Sequence, residues 1–88
     1  MFQLWAKEWK NTKMLRDIVI SDASEDTRTH KVFHTLEQVC LSFDLSTPIW
    51  LAANVSEFKK HSKTRFYSDS FIDEIPFDYL EISVLEED

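Results

Sequence analysis

The N-terminus constrains the fold most, because two strand-like segments are separated there by a short polar turn. The segments FQLWAKEWK and KMLRDIVIS flank Asn11-Thr12, and this pattern predicts a β-hairpin. Asn adopts the left-handed conformation of tight turns more readily than most residues. It therefore supplies part of what glycine would supply in a chain that contains no glycine.

The register of this hairpin decides which side chains share a face. A two-residue turn gives these expected pairs: Trp9 with Met14, Lys7 with Arg16, and Trp5 with Ile18. One face then carries Trp5, Trp9, Met14, Ile18 and Ile20. The other carries Phe2, Leu4, Ala6, Leu15 and Val19, interrupted by Glu8 and Asp17. A half-exposed hairpin should be polar on one side. Because this hairpin is substantially apolar on both faces, each face is expected to be covered by another part of the protein or by a partner.

The central part of the chain predicts a first helix from about Arg28 to about Phe43. Its cap is expected to be Asp26 or Thr27, since both residue types accept a hydrogen bond from the first helical turn. Apolar residues then recur at helical spacing along one stripe. They are Val32, Phe33, Leu36, Val39, Cys40 and Phe43.

An apolar joint, FDLSTPIWLAANVSEF, follows the first helix. Large aromatic residues in small domains are mostly buried, so Trp50 beside Pro48 is expected to close one end of the core. The alternative is an exposed Trp50 that serves as a hot spot for a partner. Asn54 with Glu57 resembles a capping box and predicts a short second helix near residues 55–62.

The C-terminal third supplies the last strand, YLEISVLE, whose apolar and polar residues alternate. The segment TRFYSD, at residues 64–69, is either a short strand or merely extended. The expected order is therefore β-β-α-α-(β)-β in a single domain spanning residues 1–88. The simplest architecture is α+β, in which the N-terminal hairpin and the C-terminal strand form an antiparallel sheet with two helices packed on one face.

Charge and composition narrow the class of protein. The net charge of −6 argues against general binding to nucleic acid or to an anionic membrane. No apolar run reaches the ~18 residues that span a bilayer, and MFQLWAKEWK does not resemble a secretory signal. Cys40 is the single cysteine and cannot form an internal disulfide, which fits a reducing cytoplasm.

No residue pattern predicts an enzyme, a metal or a cofactor. Without glycine the chain has no P-loop, dinucleotide fingerprint or nucleophile elbow. His30 and His34 lie one helical turn apart near Glu37, but a structural zinc site needs about four ligands, so a solvated helix face is favoured. Cys40 falls on the apolar stripe and is expected to be a buried, inert thiol.

Several segments resemble a known set of proteins over nearly the whole chain. FDLSTPIWL, KTRF, FDYLEI and the terminal EED are similar to a family of small, uncharacterised single-domain proteins of Firmicutes-type bacteria. That family has no assigned function, so the resemblance implies a free-standing cytoplasmic protein but does not indicate any activity. Polar residues often precede the asparagine of the second helix in the family. Ala52 and Ala53 stand there in this chain, which argues against a site at that point.

The first functional hypothesis is a non-enzymatic protein-interaction module. Two short helices can cover only one face of the hairpin, so the second face is expected to meet a protein partner or another copy of the chain. The expected contact residues are Trp5, Lys7, Trp9 and Arg16. The two cations favour an acidic surface on the partner.

The alternative hypothesis is a regulator that binds single-stranded nucleic acid through residues 58–67. Basic and aromatic residues are interleaved there, and such segments can contact phosphates and stack on bases. The expected contact residues are Lys59, Lys60, Lys63, Arg65 and Tyr67. The same bases also suit the C-terminal end of a helix dipole, so this segment has a purely structural explanation as well.

Overall fold

A computed structural model describes residues 1–87 and contains four strands and two α-helices. The elements are β1 (Phe2–Lys10), β2 (Lys13–Asp22), α1 (Arg28–Phe43), α2 (Ala52–His61), β3 (Lys63–Phe66) and β4 (Tyr79–Glu86), with a 3₁₀ turn at Ser68–Ser70. The strands form one antiparallel sheet in the order β2-β1-β4-β3. This confirms the predicted α+β fold, and the first half of the segment left open by the sequence, residues 64–66, belongs to strand β3.

The core lies between the two helices and one face of the sheet, here called the inner face. Strand β1 alternates between buried residues on the inner face and half-buried residues on the opposite face. The buried apolar residues are Phe2, Leu4, Ala6, Val32, Leu36, Val39, Cys40, Phe43, Phe58, Phe66, Phe71, Phe77, Leu80 and Ile82. They come from strands, helices and the loop before β4, so the whole described chain shares a single core.

The turn of the hairpin is built from residues with positive φ. Asn11 has φ 51° and Thr12 has φ 64°, which is the geometry of the two-residue turns that suit the twist of a hairpin. Asp78 supports the turn, because its Oδ2 accepts a hydrogen bond of 2.9 Å from the Asn11 backbone N–H. The turn prediction is confirmed, with Thr12 in a conformation that β-branched residues rarely adopt.

A β-bulge in β2 changes the predicted pairing. Trp9 lies opposite Met14 as expected, but Glu8 lies opposite Arg16, so Leu15 is an extra residue on β2. From there on, Lys7 pairs with Asp17. The predicted pairing of Lys7 with Arg16 is therefore wrong, because one extra residue moves all the later side chains to the other face.

The bulge gathers the apolar residues of both strands on the inner face. Ile18 now lies opposite Ala6, and Ile20 lies opposite Leu4. Both isoleucines pack against the core cluster, whereas Val19, opposite Trp5, belongs to the other face. The predicted face that combined Trp5 with Ile18 and Ile20 is wrong for this reason.

Helix α1 has the predicted bounds. Thr27 is its N-cap, and the Thr27 Oγ1 accepts a hydrogen bond of 3.2 Å from the His30 backbone N–H. The helix ends at Asp44, which has φ 55° and whose backbone N–H bonds to carbonyls of the last turn. The cap and the apolar stripe therefore determine this helix locally.

Helix α2 begins earlier than predicted. Its N-cap is Leu51, and Asn54 lies inside the first turn, where its Oδ1 accepts a hydrogen bond of 3.0 Å from the Leu51 backbone N–H. Asn54 therefore has the role that Glu57 was expected to play, three residues further back in the chain. The predicted start at residue 55 is wrong because a side chain within the helix caps the end.

The joint between the helices closes one end of the core. Pro48 is buried, and the Trp50 ring lies edge-on to Phe58 and Phe66, with centroid distances of 5.5 and 5.0 Å. Ile49 remains 53% exposed. Trp50 is thus half-buried and packs against the core, as expected, while its neighbour Ile49 faces solvent.

Candidate interaction face of the sheet

The face of the sheet opposite the helices, here called the outer face, is the candidate functional site. By register and alternation it carries Gln3, Trp5, Lys7, Trp9, Met14, Asp17, Val19, Ser21, Lys63, Arg65, Tyr79, Glu81, Ser83 and Glu86. Tyr67 follows β3 on the same side and contacts Tyr79, with 5.4 Å between the ring centroids. No helix in residues 1–87 covers this face, and its aromatic rings pack only on neighbouring side chains of the sheet.

Trp5 is held in place by charged neighbours on the outer face. Its Nε1 donates a hydrogen bond of 2.8 Å to Asp17 Oδ2. On the other side, Lys7 Nζ lies 3.9 Å from the centroid of the Trp5 ring, within the range of a cation–π contact. The indole is therefore oriented in advance and only half-buried, which lowers the entropy cost of using it as a contact.

Glu81 lies between two cations at the middle of the outer face. Its carboxylate oxygens lie 3.0 Å from Lys7 Nζ and 3.0 Å from Arg65 Nε, and only 7% of the side chain is exposed. Burial by itself raises the pKa of Glu81, but hydrogen bonds from Arg65 and Lys7 outweigh it and hold the pKa below its ordinary value. With Asp17 opposite Lys7 on the other side, the middle of the face is a row of alternating charge across the four strands.

A row of aromatic rings crosses the outer face from β1 to the end of β3. The Trp9 and Tyr79 rings are stacked with centroids 6.5 Å apart, and Arg65 lies over the Tyr79 ring at 4.8 Å. The Trp9 Nε1–H is buried and has no hydrogen-bond acceptor among the described residues. The row presents flat apolar surface beside a cation, which is a common composition for a contact surface.

The first set of predicted contact residues is divided between the two faces. Trp5, Lys7 and Trp9 lie on the outer face, but Arg16 lies on the inner side. Its Nε and Nη2 donate bonds of 2.9 and 3.0 Å to the buried Glu8 carboxylate. Its Nη2 also donates a bond of 2.9 Å to the Phe43 carbonyl at the end of α1. The bulge turns Arg16 away from the tryptophans, and its contacts there tie β2 to α1.

The second set of predicted contact residues is divided as well. Lys63 and Arg65 alternate with the buried Thr64 and Phe66, so they point to the outer face together with Tyr67. Lys59 and Lys60 lie in the last turn of α2 instead. The outer face therefore unites part of each predicted set.

Two members of the face, Tyr79 and Glu81, were not predicted as contact residues. Their alternation with Leu80 and Ile82 in β4 placed them on one side of a strand. The missing information was that β4 lies between β1 and β3, which brings Glu81 opposite both Lys7 and Arg65. Only this long-range pairing makes them part of the site.

The histidines of α1 and Cys40, the other candidate groups from the sequence, do not form a site with one another. His30 Nδ1 lies 2.8 Å from Asp26 Oδ1, and the His30 ring stacks on His34 on the exposed side of α1. No group of three or more His, Cys, Asp or Glu residues within 1–87 is arranged to hold a metal ion. Cys40 is buried, and burial raises the pKa of its thiol to about 11, with a smaller contribution from Glu37. Such a thiol is a poor nucleophile at neutral pH.

Comparison with known proteins gave no match to a family model, to a curated protein or to a solved structure. The resemblance to small bacterial proteins therefore stays a prediction. Neither helix of the described chain has the length and apolar content needed to cross a lipid bilayer. The outer face has to be interpreted from its own chemistry.

Proposed function

We propose that the chain is a small, non-enzymatic interaction module of the cytoplasm that binds an acidic surface of a partner protein through its outer face. The observation that carries the proposal is the pair Trp5 and Trp9 on a sheet face that no helix covers. Tryptophan and arginine are the residue types most enriched at the energetic centres of interfaces. Both occur here beside Tyr79, in the middle of the sheet.

The charge of the outer face selects the kind of partner. Its basic side chains are Lys7, Lys63 and Arg65, and its acidic ones are Asp17, Glu81 and Glu86, the last of which lies opposite Gln3. This balance of charges contrasts with the net charge of −6 for the whole chain. An acidic partner is repelled less by the outer face, where Lys7, Lys63 and Arg65 are available, than by the remaining surface, so charge also favours one orientation of approach.

A second copy of the chain fits the outer face less well than a different protein. A two-fold contact would place the same patch of both copies face to face, so like charges would meet across the two-fold axis. Self-association through this face therefore requires an offset arrangement in which Asp17 of one copy meets a cation of the other. Sedimentation of the purified chain distinguishes the two arrangements.

Affinity capture with matched variants tests the proposal. The wild type, a Trp5→Ser, Trp9→Ser double variant and a Phe33→Ser control are immobilised and exposed to the same bacterial extract. Phe33 is 48% exposed on α1, so the control removes an accessible aromatic surface elsewhere on the molecule. We expect a protein retained by the wild type and by the control but lost from the double variant, with weaker binding at high salt. A set of retained proteins that does not depend on the two tryptophans contradicts the proposal.

Binding of single-stranded nucleic acid is a second candidate for the same face. The observation that favours it is the grouping of Lys63, Arg65 and Tyr67 with the ring of Tyr79, since bases stack on such rings while cations contact phosphates. The carboxylate of Glu81 and the net negative charge oppose it. Titration with an oligothymidylate at low salt decides this: binding that falls steeply with salt supports it, and a flat titration rules it out.

A further inference from the structure

A groove between the two helices forms a second surface, on the side of the molecule opposite the outer face. Helices α1 and α2 make few contacts with each other, and Trp50 occupies the space between them. The groove has a volume of about 300 Å³. Its lining consists of Arg28, Thr29, Val32, Phe33, Trp50, Val55, Phe58 and Lys59.

The walls of the groove are apolar and remain accessible. Phe33 is 48% exposed and Val55 is 39% exposed. The Trp50 ring meets Phe33 and Phe58 edge-on, at centroid distances of 6.0 and 5.5 Å. Edge-to-face contacts of this kind fix the aromatic rings relative to one another, so the groove is preformed.

The charged groups that line the groove are both basic. Arg28 lies over the Phe58 ring at 5.3 Å, and its Nη2 donates a bond of 3.0 Å to Ser62 Oγ. Its Nε holds the carboxylate of Glu87. Lys59 lies on the α2 side of the groove. The edge of the groove thus already binds one carboxylate, which comes from the chain itself.

From this arrangement we propose that the groove binds a small amphiphile, an unbranched alkyl chain that ends in a carboxylate. The alkyl chain lies against Phe33, Val55 and Trp50, and the carboxylate meets Lys59 and competes with Glu87 for Arg28. Apolar walls with Arg28 and Lys59 at the edge match a molecule that has one apolar tail and one anionic head.

Decanoate is the probe, and methyl resonances are the readout. In NMR titrations of the complete chain, we expect shifts at the methyl groups of Val32 and Val55 and none at Val19, which lies on the outer face. Decyltrimethylammonium has the same tail with the opposite charge and should bind at least several-fold more weakly. Equal binding of both compounds, or shifts at Val19 alone, would overturn the proposal.

Charge variants test the head-group contacts. Lys59→Gln should weaken decanoate binding about three-fold, the usual scale of an exposed ion pair. Lys60→Gln, one residue further along α2 and outside the lining, is the matched control and should leave binding unchanged. Glu87→Gln frees Arg28 and should strengthen binding by a similar factor. Equal effects of Lys59→Gln and Lys60→Gln would show attraction to the general charge of α2 and would contradict a defined site.

A blocking variant tests the tail contacts. Val55→Glu places a carboxylate on the groove wall and should abolish decanoate binding, whereas Ser56→Glu adds the same charge outside it and should not. Both positions are exposed, so both variants should fold. Unchanged binding by Val55→Glu refutes the proposal and leaves the groove to an apolar side chain of a partner protein. None of these outcomes depends on the outer face, so the two proposals can fail separately.

Discussion

Replacing Asn54 by alanine tests the structural role of the buried side-chain amide near the start of α2. The side chain is 6% exposed and makes three hydrogen bonds. Its Oδ1 accepts from the Leu51 backbone N–H at 3.0 Å, and its Nδ2 donates to Thr64 Oγ1 and to the Arg65 carbonyl, both at 2.9 Å. These bonds join the start of α2 to strand β3.

The expected cost of Asn54→Ala follows from these contacts. At about 1 kcal/mol net for each hydrogen bond, the three bonds contribute about 3 kcal/mol to the free energy of unfolding. A chain of this length has a total stability of roughly 4–13 kcal/mol, so the loss is a large fraction of it. The melting temperature should fall by about 15 °C.

Urea denaturation followed by circular dichroism measures this effect. Thr64 is 1% exposed and is bonded to Asn54 through its hydroxyl, so Thr64→Val should cost about 1 kcal/mol. In the double variant the two effects should overlap, with a coupling energy of about 1 kcal/mol. Ser56→Ala, exposed on the same helix, is the control and should change stability by less than about 0.5 kcal/mol. An Asn54→Ala variant as stable as this control would refute the assignment.

Three further predictions concern charged or reactive groups. Arg16→Met should lower the free energy of unfolding by about 2 kcal/mol in urea titrations, because it leaves the buried Glu8 carboxylate unpaired. This value is smaller than the usual cost of breaking a buried ion pair, because the Arg16 side chain is half-exposed. The pKa of Glu81 is lowered in the folded chain, so its stabilisation should be complete above the ordinary carboxyl pKa of 4.5 and lost as the pH falls through the lower folded value. Glu81→Gln should therefore flatten the acid limb of the stability profile. Cys40, whose pKa is raised to about 11 by burial, should resist iodoacetamide in the native chain at pH 8 and react once urea unfolds it; rapid native labelling would contradict its burial.

Features that depend on neighbouring residues in sequence could be predicted. The apolar stripe and the Thr27 cap define α1, and the alternation of β4 defines the last strand. The start of α2 could not be predicted in the same way. Leu51 has no side chain that can cap, and Asn54 reaches back from within the helix. If Asn54 is taken as the N-cap residue, as in the usual capping box, the predicted start of α2 is three residues too late.

The candidate face depends on long-range pairing and could be predicted only in part. Trp5, Lys7 and Trp9 alternate along one strand, so their common side is a local property. The face on which Arg16 lies depends on the bulge at Leu15. The sequence has no glycine at this point that would indicate a bulge. One indication was present: requiring Ile18 and Ile20 to share a side with Leu4 and Ala6 forces the extra residue. That requirement comes from burial in the folded core and not from any local pattern.

The same bulge gives the hairpin a spare residue. Strand β2 has one residue more than its ladder with β1 needs, and Leu15, at 51% exposure, adds little to the core. Losing one residue there leaves Ile18 and Ile20 against the helices, since the ladder closes into a regular register without turning any side chain over. Over evolutionary time, the hairpin can thus shorten by one residue at this position with little loss of stability. An added residue would instead enlarge the bulge or shift the register.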